Sequence, residues 1–140
     1  MVIAALVAWV VTAGGGLVLF GTWLTRGGPA QHRAGHSRFA PKLILSHVGL
    51  AVTGLAVWIA ALAADIDGLR WVSVALLPVV TALGATMFLE WLGGRGAHAG
   101  QHASDPPAEQ RFPVAVVALH GVFALLTVVL ALLAALGLGS

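Results

Sequence analysis

The side chains of this 140-residue chain best suited to chemistry are its six histidines; it has no Cys and no Tyr. Two of the six stand in matched settings. Arg38-Phe39 is followed by His47, and Arg111-Phe112 is followed at the same distance by His120. Ala51 and Ala124 lie four residues past each histidine. Both histidines fall inside apolar stretches, where an ionisable side chain is costly and marks a function by default. Neutral imidazole is a ligand for transition metals. Two imidazoles aimed inward from facing helices suit something flat between them. A haem fits that description, because it accepts two axial ligands along one line.

The other four histidines come as His32/His36 and His98/His102, each pair four residues apart. That is ligand spacing if the segments are helical. Gly27-Gly28-Pro29, Gly93-Gly94 and Pro106-Pro107 nearby favour irregular loops instead. Solvated interfacial histidine is therefore the first expectation there, and a cytoplasmic divalent-metal site the alternative. Glu90, in Phe-Leu-Glu-Trp-Leu, is expected to snorkel or to pair with Arg95 or another loop arginine. Its alternative role is a proton group near a haem edge or a quinone head. No nucleophile–base pair, phosphate loop, zinc-protease motif or dinucleotide fingerprint is present.

The elements that must position the histidines follow from composition. Hydrophobic residues make up 59% of the chain and charged residues only 9%. A soluble domain carries about a quarter charged residues, so most soluble enzymes are excluded. A net charge of +2 offers no basic face for nucleic acid. Residues 1–25, 43–64, 71–89 and 112–140 contain no Asp, Glu, Lys or Arg, Arg70 and Arg111 lying just before the last two stretches. Each run is long enough to span roughly 30 Å of hydrocarbon as a helix. Helices are expected near 2–24, 42–63, 71–92 and 113–137. The fold class is thus all-α, an integral membrane four-helix up-down bundle forming a single transmembrane domain over 1–140. Six of the seven basic residues fall in the segments 25–42 and 93–112. The positive-inside rule puts loops 25–41 and 93–112 in the cytoplasm and both termini outside, in a cytoplasmic (inner) membrane. Trp23 and Trp91 near one interface, and Trp58 and Trp71 near the other, read as an aromatic belt.

The chain also reads as two tandem helical hairpins, about 1–68 and 69–140. The second and fourth helices align without a gap. The first and third align with a one-residue slip, Val10–Ala13 on Val79–Ala82 and Phe20–Leu24 on Phe88–Leu92. Parallel repeats of this kind are related by an axis along the membrane normal. His47 and His120 then sit at equal depth on diagonal helices. Neighbouring axes lie about 8–10 Å apart and the diagonal is roughly 1.4 times that, too wide for direct imidazole contact. Ala51, Gly54 and Trp58 follow His47 on its face, and Ala124, Thr127 and Ala131 follow His120. These mostly small residues, with Gly14, Gly15, Gly16, Gly84 and Ala85 opposite, leave room for haem packing; Gly15, Gly84, Ala51 and Ala124 are the expected contacts. Arg38, Arg111 and Lys42 are placed for the haem propionates.

In these respects the chain resembles the small four-helix membrane b-type cytochromes, which hold haem between histidines of a transmembrane bundle. The resemblance covers the whole chain as architecture, and His47 and His120 as motif. It implies one haem b rather than two, because the half of the bundle nearer the termini has no histidine. It also implies electron transfer with a quinone or another redox partner, by a cofactor-binding protein rather than a self-contained enzyme. A small transition-metal- or proton-handling transporter without haem is the alternative, and a structural subunit of a larger membrane complex a further one. The bundle can close alone or pair as a homodimer through its Gly-rich first helix.

Overall fold

A computed structural model describes residues 1–98 and 106–138, the side chains of 96–98 excepted. His102 and the side chain of His98 lie outside the described residues. Every regular element is helical: α1 (Val2–Thr25), α2 (Gly28–Arg33), α3 (Pro41–Ala64), α4 (Asp67–His98), a 3-10 turn (Ala108–Arg111) and α5 (Val114–Ala135). The helices α1, α3, α4 and α5 are each long and apolar enough to cross a membrane.

The helix ends follow local chemistry. Pro41 stands in the first turn of α3 and Pro113 caps α5, positions where a missing N–H costs nothing. Asp65 adopts the left-handed conformation (φ 53°) and turns α3 into α4. Arg70 then bonds Asp65 and Asp67 across that turn, at 3.4 Å and 2.6 Å. Two segments expected to be irregular are helical. Gly27 (φ 76°) breaks α1, and Pro29 fits the first turn of α2. Gly93 and Gly94 do not end α4, because their bare faces pack against Arg38 and Gln110.

The four long helices form a ring in the order α1, α3, α4, α5. Packing is closest between α1 and α5 and between α3 and α4, and looser across the seams α1/α3 and α4/α5. The chain thus folds as two tight plates, each built from one helix of either sequence half. The connections α1–α3 and α4–α5 lie at one end, the loop end, where α2 and the 3-10 turn pack on each other and on α1 and α4.

Two buried clusters stabilise the bundle. Ala5, Trp9, Trp58, Leu77, Ala131 and Ala134 fill the half nearer the termini. Trp23, Phe39, Ile44, Trp91, Ala108 and Phe112 fill the loop end. Trp23, Trp58 and Trp91 are therefore core residues, 1%, 0% and 4% exposed, and the expected aromatic belt reduces to Trp71. The bundle gives these large rings more apolar contact than an interface position offers. Between the clusters no residue is buried in 10–22 of α1, 45–53 of α3, 78–90 of α4 or 114–126 of α5. His47 and His120 belong to this intermediate layer.

Candidate functional site

The two histidines are docked on the neighbouring helix of their own plate in the same way. His120 of α5 donates from Nδ1 to the carbonyl of Thr12 on α1, at 2.9 Å. His47 of α3 donates from Nδ1 to the carbonyl of Val80 on α4, at 3.0 Å. A carbonyl only accepts, so each ring carries a proton on Nδ1, and the neutral imidazole then keeps its lone pair on Nε2. Neither Nε2 has a hydrogen-bond partner among the described residues. The two nitrogens of one imidazole point away from each other, so a ring anchored outward through Nδ1 presents Nε2 away from that anchor.

A glycine makes each docking possible. In a helix the Cβ leans toward the N-terminus, over the carbonyl four residues back. Gly16 and Gly84 stand four residues after Thr12 and Val80, and so leave those carbonyls accessible. A Cβ added at Gly16 would lie 3.1 Å from Cε1 of His120, and one at Gly84 3.1 Å from Cε1 of His47. At Gly15 it would meet the Cβ of His120 at an ordinary 3.5 Å. Gly16, rather than Gly15, is therefore the counterpart of Gly84. The environments repeat at a constant 68 residues: Ala5 with Ser73, Trp9 with Leu77, Gly16 with Gly84 and Trp23 with Trp91. The slip in the sequence alignment comes from Val10–Ala13 matching one residue out of place.

From facing plates, the two imidazoles approach each other across the bundle. Their ring centroids are 6.3 Å apart, with planes inclined at 68°. The expectation that the diagonal is too wide for direct imidazole contact does not hold: both side chains reach inward and the rings meet edge to face. Ala51 and Ala124 are half-buried one turn beyond. The face past them is less open than its small residues imply. Trp9 lies against Gly54 and its ring is 6.3 Å from that of Trp58, closing the bundle on that side. The hydroxyls at this border bond helix carbonyls, whereas the Trp58 Nε1–H is buried without a hydrogen-bond partner among the described residues. Thr12 Oγ1 bonds Ala8 O at 2.8 Å and meets Thr127 Oγ1 at 3.2 Å, and Ser73 Oγ bonds Gly54 O at 2.9 Å.

At the loop end, Arg38, Lys42 and Arg111 are exposed. A buried carboxylate that sequence reasoning missed ties the two connections together there. Glu109, 2% exposed, accepts from Ser37 Oγ at 2.8 Å and from the Arg38 N–H at 2.9 Å. Gln31 Oε1 accepts from the Ala108 N–H at 2.7 Å, and Gln110 donates to Trp91 O at 3.3 Å. Phe39 and Phe112 pair across the seam, centroids 5.9 Å apart. Glu90 has one carboxylate oxygen buried without a hydrogen-bond partner among the described residues. It lies within electrostatic range of Glu109 and Arg38. Arg95 sits instead over the Trp91 ring, 5.0 Å from its centroid.

The loop histidines are not brought together by what is described. His32 lies in α2, with Nδ1 3.1 Å from Ser37 O, and His36 is exposed beyond the end of that helix. Among the described residues no cluster of three or more His, Cys, Asp or Glu side chains forms. No protein-family model, curated protein or solved structure matches the chain.

Proposed function

We propose that the chain is a multi-pass membrane b-type cytochrome that holds one haem between His47 and His120 and transfers electrons. The observation that carries this reading is the 6.3 Å between the two ring centroids. Imidazole ring bonds near those of other C–N bonds give a ring radius of about 1.15 Å. Metal–nitrogen bonds to histidine run about 2.0 Å. Two rings ligating one ion in line through Nε2 therefore have centroids about 6.3 Å apart. The Nδ1–carbonyl bonds supply the outer-shell partner that ligating histidines use to fix tautomer and orientation. Between the two core clusters no residue of the four long helices is buried, and a flat group held there would meet both rings edge-on, through Nε2. A metal ion without a porphyrin would find only these two donors among the described residues, short of the three or four that protein metal sites use.

When bound, the haem supplies one-electron chemistry. The chain's residues bind and orient it. His47 and His120 ligate, the Thr12 and Val80 carbonyls hold the rings, and Gly16 and Gly84 let the rings approach. Trp9, Trp58 and Leu77 exclude water from the side nearer the termini. That same apolar cluster argues against a transport path, which needs polar groups through the whole span. Arg38, Lys42 and Arg111 give the loop end its positive charge, for propionates or for an acidic redox partner. The distribution of basic residues supports a cytoplasmic loop end with both termini outside. The shared docking of the two histidines supports a tandem duplication of the hairpin.

Visible absorption of the detergent-purified protein, expressed with ample haem, tests the assignment. A Soret band with the sharp visible bands of bis-imidazole haem is expected on reduction. It should be lost or shifted in both His47→Ala and His120→Ala. A colourless wild-type protein, or alanine variants with unchanged spectra, overturns it.

A further inference from the structure

The two histidines share a docking but not their surroundings. Beside His120, a groove of about 260 Å³ runs between α1 and α5, with Gly14, Gly15, Val18, Leu119, Phe123 and His120 itself among its lining. A Cβ at Gly14 would meet nothing within 4 Å. At the corresponding positions of the other plate stand Ala82 for Gly14 and Leu83 for Gly15, and Leu83 is partly buried there. Residues with side chains thus stand beside His47 at the positions where glycines line the groove beside His120. An apolar cavity of about 150 Å³ holds a benzene ring, so the groove beside His120 has room for an imidazole.

We propose that His120 is the exchangeable one of the two ligands, moving into the α1–α5 groove, and that the iron position it leaves takes a neutral diatomic molecule. The inference rests on the haem assignment above. Among the described residues the His120 ring is held by a single hydrogen bond, to Thr12 O. The groove opens on the flank of the bundle among exposed Val11, Val18 and Leu119. In a membrane that flank faces lipid, which admits small apolar molecules and excludes ions. In the exchange the bond from iron to Nε2 of His120 breaks, and the incoming molecule donates a lone pair to the same position. No electron changes hands, and the imidazole keeps its Nδ1 proton.

Carbon monoxide titration of the dithionite-reduced, haem-loaded protein, followed at the Soret band, tests this. The wild type is expected to bind carbon monoxide. Gly14→Leu and Val18→Phe, which fill the groove from its rim, should each weaken binding at least tenfold. Adding Leu83→Gly to Gly14→Leu opens the matching space beside His47 and should restore it. If the bis-imidazole spectrum is present but carbon monoxide does not bind, or binds equally well in both filled variants, the exchange is refuted and the haem assignment stands. If the wild type holds no haem, both fall.

Discussion

Gly84→Ala gives the sharpest test of how the site is built. The added Cβ lies 3.1 Å from Cε1 and 3.6 Å from Nδ1 of His47. Carbon–carbon contacts settle at about 3.5–4.0 Å, so the ring must retreat by roughly 0.4–0.9 Å. The Nδ1–Val80 O bond starts at 3.0 Å, and a separation of about 3.6 Å is no longer a hydrogen bond. Losing an outer-shell partner of a ligating histidine costs about 10–100-fold in metal affinity, equivalent to about 1.4–2.8 kcal/mol. The helix itself gains, since Ala is about 0.8–1.0 kcal/mol better than Gly in a helix interior. The lost Nδ1 bond, about 0.6 kcal/mol between membrane helices, largely offsets this gain, so the expected variant melts close to wild type without haem, yet binds haem at least tenfold more weakly. Haem titration at the Soret band and thermal melting by circular dichroism measure the two quantities separately. Gly16→Ala should act alike through His120 and Thr12. Gly49→Ala and Gly121→Ala, where an added Cβ meets nothing within 4 Å, are the controls. Haem affinity in Gly84→Ala and Gly16→Ala within twofold of the controls would refute the role given to the glycines.

Glu109→Ala leaves Ser37 Oγ and the Arg38 N–H without their acceptor. With hydrogen bonds to charged groups worth about 1.5–3 kcal/mol each, we expect a loss of several kcal/mol in stability and faster proteolysis at the loop end. Trp9→Ala removes a ring 3% exposed from the cluster nearer the termini. It should cost about 3–5 kcal/mol, the range for large core truncations, measured as a fall in melting temperature. Ser73→Ala deletes the bond to Gly54 O. By comparison with bonds between membrane helices it should cost only about 0.6 kcal/mol, so a drop as large as that of Trp9→Ala would show that the hydroxyl does more than join α3 to α4.

The four long helices were legible in the sequence because charge-free runs of spanning length admit few other structures. The histidine pair was legible through its matched Arg-Phe spacing. What misled were features whose meaning depends on packing. Trp23 and Trp91 sit in sequence where interface residues sit, and only tertiary packing turns them inward. Gly15 was favoured over Gly16 because the apolar match at Val10–Ala13 shifts the alignment by one. At 3.6 residues per turn, one position rotates a side chain by about 100°, enough to separate a glycine under the ring from one beside it. Glu109 carried no signal, since a carboxylate next to Gln110 and Arg111 in a connection resembles solvated charge until Ser37 and Arg38 are seen to enclose it. The grouping into hairpins tracks chain connectivity, whereas the tight plates join α1 to α5 and α3 to α4.

That pairing sets an order of assembly. α3 and α4 are joined by a short turn and can pack as soon as both are made, placing His47 on Gly84 early. α1 is synthesised first but must wait for α5, with the intervening helices already in place, before Thr12 O receives His120. Until then its glycine face and the Thr12 carbonyl stand open to the lipid. The His120 half of the site is thus completed last, and a chain halted before α5 presents one finished imidazole dock and one bare one.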